Sequence, residues 1–352
     1  MVAHRHRFHK ELRYSILLLI LSCTVSLLVA EVVARIFFPI SDGRDNVTID
    51  GTPVKEWFEP GTVYRQVSNE YDAVTTITDK GHRVPGVDGN PDVIFIGDSF
   101  TYGYGLRDDE TFSRIYCQQL QLACVNLGMP GSGTLKQVER LEQYITQWHW
   151  KPKQVKLFFF GMSGSFSAGN DFVDNYDRYT REHAAQADVQ RSGDAQALRA
   201  EPTVGLTERI IALQTSVLGH STLMRLVKYY WGPMLKSLLV ADPGNERMAT
   251  ALQATLESLA RLDELSRRVG FGYHIYLLVP VQDIIRGTYG ETLEKLNSVS
   301  PKPVIPTAQL FLDSPQNYYY AFDGHFNAEG SRRVAQFLVS SESGLLIDDR
   351  RK

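Results

Sequence analysis

The chain has 352 residues, 43% hydrophobic and 22% charged, a balance ordinary for a globular protein and long enough for one large domain or a domain with an elaborated cap. Its net charge of −3 conceals an asymmetry: residues 1–13 hold Arg5, Arg7, Lys10 and Arg13 against Glu11, a net +3, so the remainder carries −6. No basic patch interleaved with aromatics marks a nucleic-acid surface, and the acidic body disfavours a polyanion as the main partner.

Tyr14 to Ala30 is 17 residues without a charge, and extension to Phe38 gives 25 interrupted only by Glu31 and Arg35. Spanning a hydrocarbon core of ~30 Å takes about 20 residues, so residues 14–38 read as a transmembrane signal anchor. Glu31 and Arg35 stand four apart, on one helical face, where they can pair at the interface. The basic leader 1–13 stays in the cytoplasm and the body is exported. A cleaved signal peptide with its site at Val32-Val33-Ala34, and a lipoprotein signal at Ile20-Leu21-Ser22-Cys23, are the alternatives; the apolar run is long for the first and continues well past Cys23 for the second.

Residues 39–90 are rich in Gly, Pro, Asp and Thr, with short alternating runs such as Ala73 to Thr78, which predicts a linker with a small β element. Asn46-Val47-Thr48 matches a glycosylation sequon. Val93 to Ile96 then reads as a buried strand broken at its carboxyl end by Gly97-Asp98-Ser99, the place where an open α/β sheet puts its chemistry. A helix near Thr111 to Leu120, a strand Ala123 to Asn126, a helix Thr134 to Trp148 and a strand Val155 to Phe160 follow. That alternation implies a parallel sheet with crossover helices. A further strand is expected at Tyr273 to Val279 and a last helix at about Ala328 to Val339. Between Asp171 and about Val269 sits an insertion: Asp174 to Glu201 reads as polar and loop-like, Thr207 to Val240 and Glu246 to Val269 as helical, with an aromatic cluster Tyr229-Tyr230-Trp231. It is expected to cover the sheet and to shape the cleft. Three cysteines are too few for a disulfide framework. Cys23 lies in the apolar segment; Cys117 and Cys124 flank a helix-to-strand connection, where two buried free thiols are the default and pairing in an oxidising compartment the alternative.

Acyl transfer through a serine needs a nucleophile, a base, a group to orient the base and donors for the oxyanion. Ser99, just past a strand, is the candidate nucleophile. His325 is the candidate base, because among the nine histidines it has an aspartate, Asp323, two residues before it in a Gly-containing loop. The oxyanion donors would be the backbone N–H of Ser99, the backbone N–H of Gly131 and the side-chain amide of Asn170. Asn126 is expected to bond loop backbone. No cofactor is called for. No third ligand accompanies the His and Asp of the Gly loop at a spacing useful for a metal, and Gly103-x-Gly105 lacks the rest of a phosphate-loop pattern.

The blocks Gly97-Asp98-Ser99, Asn126-x-x-x-x-Gly131, Gly169-Asn170-Asp171 and Asp323-Gly324-His325 occur in that order and resemble the four blocks of the SGNH (GDSL-type) hydrolases. Thr76 to Arg83, followed by Gly-Asp-Ser-Phe-Thr behind an amino-terminal anchor, is similar to the bacterial membrane-anchored subgroup. The resemblance covers about residues 90–172 and 271–340. It implies a three-layer α/β/α sandwich with a parallel sheet, spanning 91–345 with the insertion at about 172–269, on the periplasmic side of the bacterial inner membrane. It also implies a serine esterase acting on a carbohydrate or lipid ester. An O-acyltransferase of envelope polysaccharide, and a non-catalytic protein that binds glycan or scaffolds a polymer-export complex, are the alternatives, with envelope polysaccharide machinery as the partner implied. Two features depart from the pattern. Asp323 and His325 are two apart, whereas many members place them three apart, which leaves Asp313 as a reserve; Asn170 also lies beyond Gly161-Met162-Ser163-Gly164-Ser165, farther from its strand than usual.

Overall fold

The computed structural model describes residues 2–37, 47–49, 52–53, 58–68, 70–87, 89–163, 170–192, 221–224, 226 and 244–349. Asn46, Gly164, Ser165, Gly169 and the Tyr229-Tyr230-Trp231 cluster lie outside the described residues. The chain divides into two compact units, residues 1–41 with 198–241 and residues 42–197 with 242–352.

In the first unit a single helix, α1 (Val2–Phe37), contains Tyr14–Phe37, a stretch of 24 residues with mean hydropathy 2.6 that is long and apolar enough to cross a membrane. Arg35 Nε donates to Glu31 Oε1 at 2.8 Å, one turn away, as the spacing suggested. The same carboxylate accepts from Ser221 Oγ (2.7 Å), Thr222 N–H (2.9 Å) and Leu223 N–H (3.0 Å). This part of the insertion, expected to lie over the sheet, is thus grouped with the apolar helix. A half-buried glutamate at the end of an apolar stretch needs donors, and these residues supply them.

The second unit is built on five parallel strands: β5 (Val93–Gly97), β6 (Cys124–Asn126), β7 (Gln154–Phe160), β8 (Gly272–Leu278) and β9 (Val304–Pro306), in the order β6-β5-β7-β8-β9. All five residues of β5 are buried, which is why the strand reads as an unbroken apolar run. Side chains of β7 alternate between two helical layers. Lys156 reaches Glu342 at 2.8 Å, on the helix α9 (Ala328–Asp349), and Phe158 packs on Phe112 of α3 (Phe112–Leu120). Phe159 packs instead on Phe172, in α5 (Asp171–Ser192), which lies with α4 (Thr134–Trp148) and α6 (Gly244–Val269). The result is the α/β/α sandwich. The first strand, β5, is flanked by the second and third in chain order, so the strand order reverses at its carboxyl end and leaves a crevice there.

The expected strands and helices of the sheet are present, and α4 has the bounds its periodicity predicted. Three differences have physical reasons. Asp171–Ser192 is a helix rather than a polar loop: among its described side chains the inner face has Phe172, Val173, Tyr176 and the buried Asn175, which accepts Leu135 N–H (2.9 Å) and donates to Thr255 Oγ (3.0 Å), so polar partners do the work that apolar periodicity would have signalled. The helices α7 (Val281–Arg286) and α8 (Tyr289–Val299), and the edge strand β9, are too short to stand out. Cys117 and Cys124 are joined in a disulfide, with Cα atoms 6.1 Å apart, which replaces the default of two free thiols. The small β element is an antiparallel sheet of β1 (Val47–Ile49), β2 (Thr52–Pro53), β3 (Val63–Val67) and β4 (Asp72–Thr76), ordered β2-β1-β3-β4, within the same unit as the parallel sheet.

Because the Cys117–Cys124 bridge closes a short loop, the double variant Cys117→Ala/Cys124→Ala is expected to lose about 2 kcal/mol. Thermal unfolding checks this: the midpoint falls in the variant, and reductant lowers the wild type but leaves the variant unmoved.

Candidate active site

At the end of β5 the chain turns tightly into α2 (Ser99–Tyr102). Gly97 makes the turn feasible, since a Cβ there would sit 2.1 Å from Thr101 Oγ1 and 2.8 Å from Phe158 O. Asp98 caps the helix, its carboxylate accepting Phe100 N–H at 2.9 Å. Ser99 therefore opens the helix, half-buried, with a backbone N–H that has no acceptor inside it. The far end of α2 is clamped by Arg83, wholly buried, whose guanidinium donates to Tyr102 O (2.8 Å), Gly103 O (2.5 Å) and Leu106 O (2.5 Å) and pairs with Asp108 (3.2 Å). Asn126 steadies the turn as expected, donating to Thr101 O (2.9 Å) and Ser113 Oγ (3.0 Å) and accepting Gly128 N–H (2.9 Å).

The loop before α9 brings His325 to this turn. His325 Nε2 lies 2.7 Å from Ser99 Oγ, and Nδ1 lies 2.5 Å from Asp323 Oδ1. Burial would raise the Asp323 carboxyl, but the hydrogen bond and charge of His325, helped by a hydrogen bond from Tyr71, outweigh it and hold the group below its ordinary value. An ionised carboxylate only accepts, so Nδ1 carries the proton and donates, and in the neutral ring Nε2 is left to accept from the serine hydroxyl. The two-residue spacing works because Gly324 takes a positive φ of +83°, which lets the carboxylate fold back onto the ring. Asp313, the reserve, is elsewhere: its carboxylate takes Tyr318 OH (3.0 Å) and Arg333 (3.1 Å). Phe100 and Tyr104 pack on the imidazole with ring centres at 4.8 and 5.0 Å.

Asn170 caps α5. Its Oδ1 accepts Phe172 N–H (3.0 Å) and its carbonyl accepts Val173 N–H (2.9 Å) and Asp174 N–H (3.0 Å). Capping occupies the oxygen and leaves the amide nitrogen; Nδ2 is fully buried and has no hydrogen-bond partner among the described residues. An orphaned buried donor costs free energy unless something arrives to accept from it. Gly131 sits at φ +66° in the loop after β6 and lines a cavity of about 130 Å³ with Lys136, Asp174, Asp177, Arg178 and Arg181.

The floor of the site is acidic. Burial pushes the Asp98 carboxyl well above its ordinary value, with the charge of His325 pulling it partly back. Burial, then the charge of Asp98, does the same to Asp171, and burial with Asp177 raises Asp174 to about 6. Of the five residues singled out from sequence, Ser99, His325 and Asp323 are joined by hydrogen bonds, Asn170 caps α5 and Gly131 lies in the loop after β6; Arg83, Tyr104 and the residues of the small sheet that touch the His loop were not singled out, because nothing local marks a clamp formed across such distances. Among the described residues no group of three or more His, Cys, Asp and Glu side chains is gathered as a metal site.

No family model matches the chain, and no curated protein matches it. Among solved structures it is similar to a G-D-S-L family protein from Desulfitobacterium hafniense, at 13% identity and TM-score 0.36 over 70% of this chain and 97% of that one. It is also similar to a carbohydrate esterase with divergent catalytic and non-catalytic binding functions, at 12% identity and TM-score 0.38 over 82% and 85%. A family 2 carbohydrate esterase from Myceliophthora fergusii gives 13% identity and TM-score 0.34 over 78% and 71%. Likenesses at this level decide nothing about chemistry, which is read from the side chains.

The buried Asp98 gives a pH signature. A carboxyl with a raised folded-state pKa binds its proton more tightly in the fold than in the unfolded chain, so it subtracts stability as pH rises above the ordinary carboxylate value. Asp98→Asn keeps the capping oxygen and cannot ionise. Its thermal midpoint is expected to match the wild type at pH 4 and to exceed it by pH 8, read by unfolding at pH 4, 6 and 8.

Proposed function

We propose that this chain is a serine-dependent ester hydrolase of the SGNH type, working through a Ser99 acyl-enzyme. The observation that carries the reading is the unbroken chain of hydrogen bonds from Ser99 Oγ through His325 (2.7 Å) to Asp323 (2.5 Å). Ser99 Oγ attacks the acyl carbon while His325 Nε2 takes its proton. The same proton then goes to the departing alkoxide, and water, deprotonated by His325, releases the acid. Asp323 orients the ring and balances its charge. The oxyanion is held by the N–H of Ser99, the N–H of Gly131 and the orphaned amide of Asn170, the acceptor that Nδ2 otherwise lacks.

The charged lining of the cavity beside Gly131 favours a hydroxyl-rich leaving or accepting group over a second apolar chain, hence an ester on a carbohydrate. The same observation favours a second reading, O-acyl transfer to a polysaccharide hydroxyl, since only the group attacking the acyl-enzyme differs. The apolar helix Tyr14–Phe37 behind a basic leader, together with a disulfide in the body, supports a single-pass anchor in a bacterial cytoplasmic membrane with residues 91–345 on the outer, oxidising face.

The test is hydrolysis of p-nitrophenyl acetate and longer p-nitrophenyl esters by the full chain in detergent, with fluorophosphonate labelling alongside. Ser99→Ala is expected to abolish both. Asn170→Ala should retain labelling at a reduced rate and lose about 100- to 1000-fold in kcat. Equal turnover and equal labelling in wild type and a folded Ser99→Ala would overturn the reading.

A further inference from the structure

The turn between β3 and β4 reaches the His loop. It is closed on itself: Ser68 N–H donates to Tyr71 O (2.8 Å), and Ser68 Oγ accepts the N–H groups of Glu70 (3.0 Å) and Tyr71 (3.2 Å). From this turn Glu70 extends its carboxylate to the backbone of the loop, accepting Phe322 N–H at 3.1 Å and Asp323 N–H at 2.8 Å. Tyr71 goes further, its hydroxyl donating to Asp323 Oδ2 at 3.1 Å.

That contact answers a need created by the short Asp-x-His spacing. Asp323 Oδ1 is occupied by His325, through Nδ1 at 2.5 Å and the backbone N–H at 3.3 Å. Gly324 N–H, between the two residues, goes to Tyr320 O at 3.1 Å rather than to Oδ2. Among the described residues Tyr71 is the donor that Oδ2 finds. A carboxylate held by one oxygen can swing about its Cβ–Cγ bond; held by both, its plane is fixed and so is the imidazole on it. The phenol is itself packed between rings. Tyr71 is 8% exposed, its ring centre lies 5.0 Å from Tyr320 and 6.2 Å from Tyr104, and Tyr104 in turn packs on His325. Burial, with the charge of Asp323, drives the Tyr71 phenol far above its ordinary range, so it stays a neutral donor at every working pH.

We propose that Tyr71 is a positioning residue for the reaction of Ser99, fixing Asp323 through Oδ2 while Glu70 holds the backbone beneath it. The small antiparallel sheet is then part of the catalytic apparatus rather than a spacer between membrane and body. The proposal rests on the esterase reading for its kinetic consequence, but not for its structural one.

The experiment compares wild type, Tyr71→Phe, Glu70→Gln and Glu70→Ala as full chains in detergent. Tyr71→Phe keeps the ring and removes only the hydroxyl. It is expected to lower kcat for p-nitrophenyl acetate about tenfold with KM unchanged and the thermal midpoint within about 2 °C of wild type. In ¹H NMR the low-field resonance of the proton between His325 Nδ1 and Asp323, assigned by its loss in His325→Gln, should shift. Glu70→Gln retains an acceptor oxygen and most of the kcat, whereas Glu70→Ala falls with Tyr71→Phe. A Tyr71→Phe protein with an unmoved resonance overturns the proposal, whatever its kcat. Should the wild type turn over no ester, the functional reading fails by itself; the resonance still decides the contact, a shift supporting Tyr71 as the anchor of Asp323 and no shift overturning it.

Discussion

The hydrogen bond between Ser99 Oγ and His325 Nε2 joins the end of the first parallel strand to a loop 226 positions later. Holding such a bond at 2.7 Å requires that both ends be rigid, and in the esterase reading proposed above a misplacement of about 1 Å would cost on the order of a hundredfold in rate. Much of the second unit can be understood as meeting that requirement. On the serine side, the fully buried strand β5, the Asp98 cap and the buried Arg83 fix a helix of only four residues that could not persist alone. On the histidine side, a loop without regular structure is fixed from outside, by Glu70 on its backbone, Tyr71 on its carboxylate and aromatic rings on its imidazole.

Capping supplies a second common thread. Asp98 and Asn170 both use a side-chain oxygen to start a helix at the carboxyl edge of the sheet. For Asp98 this leaves Ser99 as the first helical residue; for Asn170 it leaves a bare amide donor. One local device thereby leaves the Ser99 hydroxyl at a helix start in one place and a bare amide donor in another, the two groups to which the proposed reaction gives the parts of nucleophile and oxyanion donor. The cost is visible in the floor of the site, where burial raises Asp98, Asp171 and Asp174 together. Such strain against pH is a frequent companion of sites kept for function rather than for stability.

The first unit obeys a different constraint. Most of the described side chains between Tyr14 and Phe37 are exposed and apolar, a stretch long enough to cross a membrane, and Glu31 near its end needs partners. Arg35 was legible as one of them because four residues separate the two on one helix face. Ser221, Thr222 and Leu223 were not, because nothing in a sequence announces a bond to a residue about 190 positions away.

Sequence alone determined whatever depends on near neighbours. The strand-to-helix turn at Gly97-Asp98-Ser99, the amphipathic α4, the apolar helix at the amino terminus and the parallel alternation of elements all follow from local steric preference and from hydrophobic period, and the structure has them. The order of four blocks pointed to the five residues Ser99, Gly131, Asn170, Asp323 and His325. Tertiary structure decided what local pattern does not encode: that Cys117 and Cys124 meet, that α5 is a helix held by a buried asparagine, and that the small β element reaches Asp323. Period and propensity report which face of an element is buried, but they are silent on which distant side chain will stand against it, as Tyr71 stands against the Asp323 carboxylate.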